Sequence, residues 1–262
     1  PTPTMASSSA AAAVDADSDT DDPLRLERIR KEGETCDSYV HKGLTRNVTI
    51  QFLLERLKSM GCEPPPGFIR CTDCGDKQAG GGFGVLEETI LEKGNDGLAS
   101  SLREDVERRR NLESCRKTDS DFKASLDAAK DGKVRLRLLP EIFLCQNHLR
   151  GETHAHESMA HELIHAIDLC RTKMDPLNNC MHMACTEIRA ENLSGECSWL
   201  GELGAGRMKS FVGHGAECVK RRAALSVKAN PNCRDRAEEC VEAAFERCHR
   251  DTFPFDRHPN LR

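Results

Sequence analysis

One stretch, Glu157-Ser158-Met159-Ala160-His161-Glu162-Leu163-Ile164-His165-Ala166-Ile167-Asp168, restricts what this chain can become more than any other. It sets two histidines just over one helical turn apart, with a glutamate directly after the first. On a helix both imidazoles project from one face and can bind a single Zn²⁺, and Glu162 sits within reach of a water on that ion. Such a pattern also arises by chance on a polar helix face. Here Leu163, Ile164 and Ile167 form an apolar stripe opposite the histidines, so the segment is expected to bury one side and turn the other to a cleft.

A catalytic zinc takes three protein ligands and leaves a fourth position for water. Asp168 shares the histidine face but lies roughly 10 Å from His161 along the axis at 1.5 Å per residue, too far to join the same ion. It is assigned to a supporting role outside the coordination sphere. Glu187 and Glu191 stand one turn apart on a second expected helix, far enough downstream for the chain to return antiparallel. Glu187 is the preferred third ligand, with Glu191, His182, His156 and His154 as alternatives. In the preferred arrangement Glu191 accepts the free ring N–H of a zinc histidine. Glu162 is the expected general base, taking a proton from water and passing it to the leaving amine.

Composition narrows the classes. A net charge of −5 argues against a general nucleic-acid binder. Lys220-Arg221-Arg222 with Lys228 makes a local basic patch, read as a contact with anionic lipid or a solvated face. Fourteen cysteines in 262 residues, with only Cys71 and Cys74 at close ligand spacing, point to several disulfides in an oxidising compartment and not to a cysteine metal site. No apolar run approaches the roughly 20 residues of a spanning helix. The N-terminal stretch, rich in Ala, Ser and Asp, has neither a secretory nor a mitochondrial presequence pattern.

Along the chain, residues 47–60 carry helical periodicity. The Gly80-Gly81-Gly82-Phe83-Gly84 run reads as a flexible or tightly turned loop, and residues 85–133 as a charged insertion. Val134 to Cys145 has strand character split by Pro140. Its best part, Ile142-Phe143-Leu144-Cys145, is the candidate to pair with an extended substrate at a sheet edge. Further helices are expected near residues 182–193, 216–226 and 236–250.

These motifs together resemble a mitochondrial inner-membrane metalloprotease family, sometimes called Ku-binding proteins. That family matures an ATP synthase subunit and assists assembly of the enzyme's membrane sector. The residues that carry the resemblance are Ile142 to Asn147, His161 to Asp168, Ala184 to Ala190, Leu193 to Cys197, and the Cys233 to Phe255 tail; Cys62 to Phe83 matches more loosely. The resemblance implies a zinc endopeptidase in the intermembrane space, attached peripherally to the inner membrane and imported by oxidative folding. The implied substrate is the N-terminal extension of the ATP synthase subunit a precursor, and the implied partners are ATP synthase assembly intermediates; the Ku-binding name suggests a DNA-linked adaptor, but the net acidity speaks against direct nucleic-acid contact. The competing expectation is a non-proteolytic assembly factor with a structural or vestigial zinc site. The expected fold is α+β, a zincin-like metallopeptidase domain with a small sheet, an active-site helix and a mainly helical, disulfide-rich C-terminal part. Its expected boundaries are a disordered acidic leader at 1–35, one domain at 36–258 and a tail at 259–262.

Overall fold

The computed structural model describes residues 22–76, 79–91, 134–198 and 214–259. Helix α1 (Pro23–Arg46) starts at Asp22, whose carboxylate accepts the Leu24 N–H, and Pro23 occupies the first turn, where a missing N–H costs nothing. Residues 23–35 are therefore helical, which corrects the leader expected at 1–35. Tertiary contacts explain the difference: Gln146 Nε2 donates to the Ile29 carbonyl at 2.8 Å, and Cys36 is buried in a disulfide with Cys71. Residues 1–21 lie outside the described part. Helix α2 (Val48–Ser59), capped by the Asn47 side chain, buries Ile50, Leu53 and Leu57 at helical spacing.

Three strands form one sheet in the order β1-β3-β2: β1 (Ile69–Thr72), β2 (Gly81–Leu91) and β3 (Val134–Cys145). Two expectations change here. Pro140 does not split β3, because β1 begins pairing only at Ile142, and a proline is tolerated where one flank has no partner strand. The glycine run is also no loop; it opens β2, with Gly81 opposite Leu144 and Gly82 opposite Phe143. A Cβ on Gly81 would lie 2.7 Å from the Phe143 carbonyl oxygen, and one on Gly82 would lie 2.4 Å from Phe143 Cζ. Only glycine lets the strand run this close. Residues 85–91, the start of the expected insertion, continue β2 up to the pairing of Leu91 with Val134; residues 92–133 lie outside the described part.

The remaining helices are α3 (Glu152–Arg171), α4 (Cys180–Leu193), α5 (His214–Ala229) and α6 (Ala237–Arg250). The apolar side of α3, Met159, Leu163, Ile164 and Ile167, packs against Ile50 and Leu53 of α2 and Ile142 and Leu144 of β3. A second core lies between α4, α5 and α6, built on Ile188, Val219, Ala223 and Val241. The architecture is thus α+β, as the sequence predicts.

Disulfides reinforce both cores. Cys36–Cys71 joins α1 to β1, Cys62–Cys170 joins the turn after α2 to α3, Cys74–Cys145 ties the turn after β1 to the end of β3, and Cys180–Cys233, Cys185–Cys248 and Cys197–Cys218 join α4 and its flanks to α5 and α6. Cys71 and Cys74 have different partners, so they are neither a shared ligand pair nor a dithiol couple. Cys240 is buried and unbridged.

Between the cores, Arg189 of α4 is 1% exposed, and its Nε donates to both oxygens of the buried Asp168 carboxylate at 3.0 Å. Its terminal nitrogens hold the carbonyls of Asp251 and Phe253 and, at 2.7 Å, the Asp251 carboxylate. Removing one member of a buried pair typically costs about 3–5 kcal/mol, because the other charge is stranded. Arg171 Nε lies 3.4 Å from Asp168 Oδ1 and offsets part of that loss. Arg189→Met is therefore expected to lower unfolding free energy by about 3 kcal/mol in urea titrations; a change under about 1 kcal/mol would mean the Asp168 charge is compensated elsewhere.

Candidate active site

Helices α3 and α4 run antiparallel and bring His161, His165 and Glu187 together. Glu187 Oε2 lies 3.5 Å from His161 Nε2, and its Oε1 lies 3.6 Å from His165 Nε2. The imidazole centroids are 4.8 Å apart.

The other ring nitrogens are engaged. His165 Nδ1 is 2.8 Å from Thr186 Oγ1, whose own hydroxyl donates to Asp168 Oδ2 at 3.0 Å. A hydroxyl that donates to a carboxylate must accept from the imidazole, so His165 carries its proton on Nδ1. His161 Nδ1 donates to Glu196 Oε2 at 3.1 Å. In the neutral rings both Nε2 lone pairs then face Glu187, whose Oε2 is buried without a hydrogen-bond partner. Two converging imidazole nitrogens and an orphaned carboxylate oxygen, all within 4.8 Å of one another, fit a cation held by His161, His165 and Glu187.

Three expectations are corrected by this geometry. Glu191 does not accept a histidine proton; the guanidinium of Arg222 on α5 holds it, and Glu196 and Thr186 orient the rings. Arg222, half-buried, also holds Glu196 and so leaves the basic run, whereas Lys220 and Lys228 pair with Glu242 and Glu238 at the surface, as in a solvated face. Ile142 to Cys145 is not a substrate edge, because β1 and β2 flank it on both sides and Ile142, Leu144 and Cys145 are buried. Among the described strands β2 is the edge that borders the site. Of the alternative ligands, His156 is turned to the Tyr39 carbonyl and Asn47, and His182 accepts the Asp175 N–H.

Glu162 lines the same cleft of about 680 Å³, beneath the rim of β2; a Cβ on Gly81 would lie 3.7 Å from its Cγ. The cleft is polarised along its length. Leu169 lies one turn past His165 on α3, and Met183 lies one turn before Glu187 on α4; because the helices are antiparallel, both fall at one end. Leu177 and Leu225, 71% and 59% exposed, extend that apolar wall. Asn230 pins it by donating to the Leu177 carbonyl at 3.0 Å, and Asn232 donates to the same oxygen at 3.2 Å. The opposite end holds Glu191, Glu196 and Arg222.

Burial dominates the electrostatics. It pushes Glu162 up to about 8, with Glu187, Glu196 and Glu191 adding to the rise against the opposing pull of His161. It pulls His165 down. At His161 burial is outweighed by the carboxylates of Glu196 and Glu187, which raise it well above the ordinary value. Glu187 is lowered, burial being overcome by the two imidazoles. Burial lifts Glu191 to about 7, while Glu196, despite its burial, is held far below the usual carboxylate range by His161 and Arg222.

Sequence reasoning missed Thr186, Glu196 and Arg222 as site residues. Thr186 directly precedes the preferred ligand, and Glu196 lies in the Leu193–Cys197 motif, but pairing either with one histidine requires the packed helices. Arg222 gave only a charge signal.

The part of the chain that carries this site is similar to known proteins. Residues 95–256, more than half of the chain, match the Peptidase M76 family. The mitochondrial inner membrane protease atp23 of Aspergillus niger is 47% identical over 117 residues, 44% of this chain and 49% of the relative. The Aspergillus clavatus protein of the same name is 49% identical over the same shares. That of Schizosaccharomyces pombe is 48% identical over 118 residues, 44% of this chain and 63% of the relative. The matches thus span about half to two-thirds of these curated relatives. No solved structure matches the chain. With more than half its length matched, the chain belongs to the Peptidase M76 family.

Proposed function

We propose that this chain is a zinc-dependent endopeptidase. The observation that carries the reading is the orphaned Glu187 Oε2 between two oriented imidazoles, with Glu162 beside them in one cleft. A bound Zn²⁺ supplies Lewis-acid polarisation of a carbonyl and lowers the pKa of water toward neutrality. His161, His165 and Glu187 would hold it. Glu162 takes a proton from the attacking water and returns it to the leaving amine. A nearby dication favours its carboxylate form, so its base function does not conflict with the upward push of burial. The edge of β2, unpaired among the described strands, takes the substrate as an added strand, a role the glycine rim allows because Gly81 places backbone, with no side chain of its own, over Glu162.

The names of the relatives support a mitochondrial inner-membrane location. No described helix is long and apolar enough to cross a membrane, which favours peripheral attachment, and six disulfides among the described residues favour an oxidising compartment, the intermembrane space. The substrate is the N-terminal extension of the ATP synthase subunit a precursor, as the sequence resemblance implies, with assembly intermediates of that enzyme as partners. A purely structural metal site in an assembly factor has no use for a buried base beside the ligands.

Glu162→Gln is expected to retain one zinc and a native circular dichroism spectrum while peptide cleavage falls by about 10²–10⁴-fold; undiminished turnover in the purified variant removes the base assignment. Glu187→Gln is expected to weaken zinc binding by more than the roughly 10–100-fold seen for outer-sphere losses, measured by chelator competition. Leu225→Asp is expected to lower kcat/KM about 10–100-fold for peptides with a leucyl side chain next to the scissile bond, the equivalent of one lost apolar contact site. The same change in peptides with and without that side chain would take the apolar wall out of substrate selection.

A further inference from the structure

His161 stands between two clusters. Its Nε2 faces Glu187, and its Nδ1 faces Glu196, with Glu191 close by; both His161–His165–Glu187 and His161–Glu191–Glu196 have ligand atoms within 4.8 Å of one another. The second set is half of an ordinary cation site, yet it is already filled by protein. Arg222 places its Nε on Glu191 and its NH2 group on Glu196, both charge-assisted contacts. Glu191 is 2% exposed and the side chain of Glu196 9%, and Glu162 and Glu187 are buried in the same cleft. Buried carboxylates at this density need cations; one zinc beside Glu187 leaves the Glu191–Glu196 pair uncompensated unless Arg222 stays.

We propose that Arg222 is a positioning residue of the metal centre: a fixed cation that keeps Glu196 on the Nδ1–H of His161 and bars a second metal ion from His161, Glu191 and Glu196. An ion captured there would take the Nδ1 that must carry a proton for Nε2 to serve as ligand, and would pull His161 between two sites. The fold braces this arrangement independently. Cys197, next to Glu196, is disulfide-bonded to Cys218, one turn before Arg222 on α5. The guanidinium and the carboxylate it orients are thus anchored at both ends, and Arg222 is better suited than a lysine because its fork spans both carboxylates.

The inference rests on the metal site of the proposed function, and its test separates the two. Zinc stoichiometry by equilibrium dialysis and affinity by chelator competition are measured on the oxidised full chain and on Arg222→Met, Arg222→Lys and Arg222→Met/Glu191→Gln. The wild type is expected to bind one zinc. Arg222→Met is expected to bind a second equivalent, with the first weakened about tenfold or more; the double variant returns to one. Arg222→Lys keeps the charge but loses the fork, so it stays at one zinc with reduced affinity. A merely structural arginine would lower stoichiometry on removal and never raise it. One zinc of unchanged affinity in Arg222→Met overturns this inference alone, whereas no zinc in the wild type overturns the metal site and this inference with it. Where Arg222→Met fails to fold, Arg222→Lys decides: unchanged affinity overturns the positioning role, and a drop supports it.

Discussion

The interaction on which the rest depends is the buried carboxylate of Asp168. It stands near the C-terminal end of α3, where it accepts from Thr186 Oγ1 and Arg189 Nε, both on α4. A charge 1% exposed tolerates few geometries, so these contacts fix how the two helices slide and rotate against one another. That register is what brings Glu187 opposite His161 and His165. It reaches the chemistry through Thr186, which sits between Asp168 and His165, and it reaches the C-terminal tail through Arg189, which holds the Asp251 and Phe253 carbonyls. One carboxylate therefore couples fold, tail and tautomer.

The site then follows from an imbalance of charge. Glu162, Glu187 and Glu191 are buried around one cleft, and Glu196 turns a largely covered side chain into it. Such a cluster is unfavourable for an empty fold and favourable for one that holds cations, the general conflict between stability and function at active sites. Its two halves are treated differently. The half facing Nε2 has an orphaned oxygen and room for an ion; the half facing Nδ1 carries its own guanidinium. Antiparallel pairing also sorts polarity along the cleft, because moving one turn away from the ligands reaches Leu169 and Met183 at one end and Glu191 at the other.

Much of this was legible in the sequence, for physical reasons. His161, Glu162 and His165 are set by intrahelical spacing, which sequence carries directly, and helical rise alone separates Asp168 from His161. Glu187 was within reach because a two-helix return needs only chain length and a carboxylate. What sequence could not carry was pairing between elements. Whether Glu191 or Glu196 accepts from His161, and whether Arg222 is solvated or buried, depend on the packing of α5. The edge position was lost for a similar reason: Ile142 to Cys145 has the composition of a strand, but composition does not say which strand is central. The glycines of β2 misled because glycine is read as a turn former, whereas here its lack of a Cβ is used for close approach to Phe143.

The disulfides make sense within the same balance. The first core buries Phe68 and packs Phe83, Phe253 and Phe255 against it, and the second packs Phe245; with aromatic residues only 4% of the chain, both rest mainly on aliphatic side chains, and the cleft adds buried charge to them. Cross-links lower the entropy of the unfolded chain without demanding more core. Their placement is not uniform: Cys62–Cys170 ties down α3 near its Asp168 end, Cys180–Cys233 and Cys185–Cys248 hold α4 on either side of Met183, and Cys197–Cys218 locks the loop of Glu196 to the helix of Arg222. Each helix that carries a candidate ligand or a residue orienting one is stapled within about two to three turns of that residue. The cross-links therefore hold the cleft's charged side chains in place against their own repulsion, and the geometry of the site becomes contingent on oxidation of the thiols.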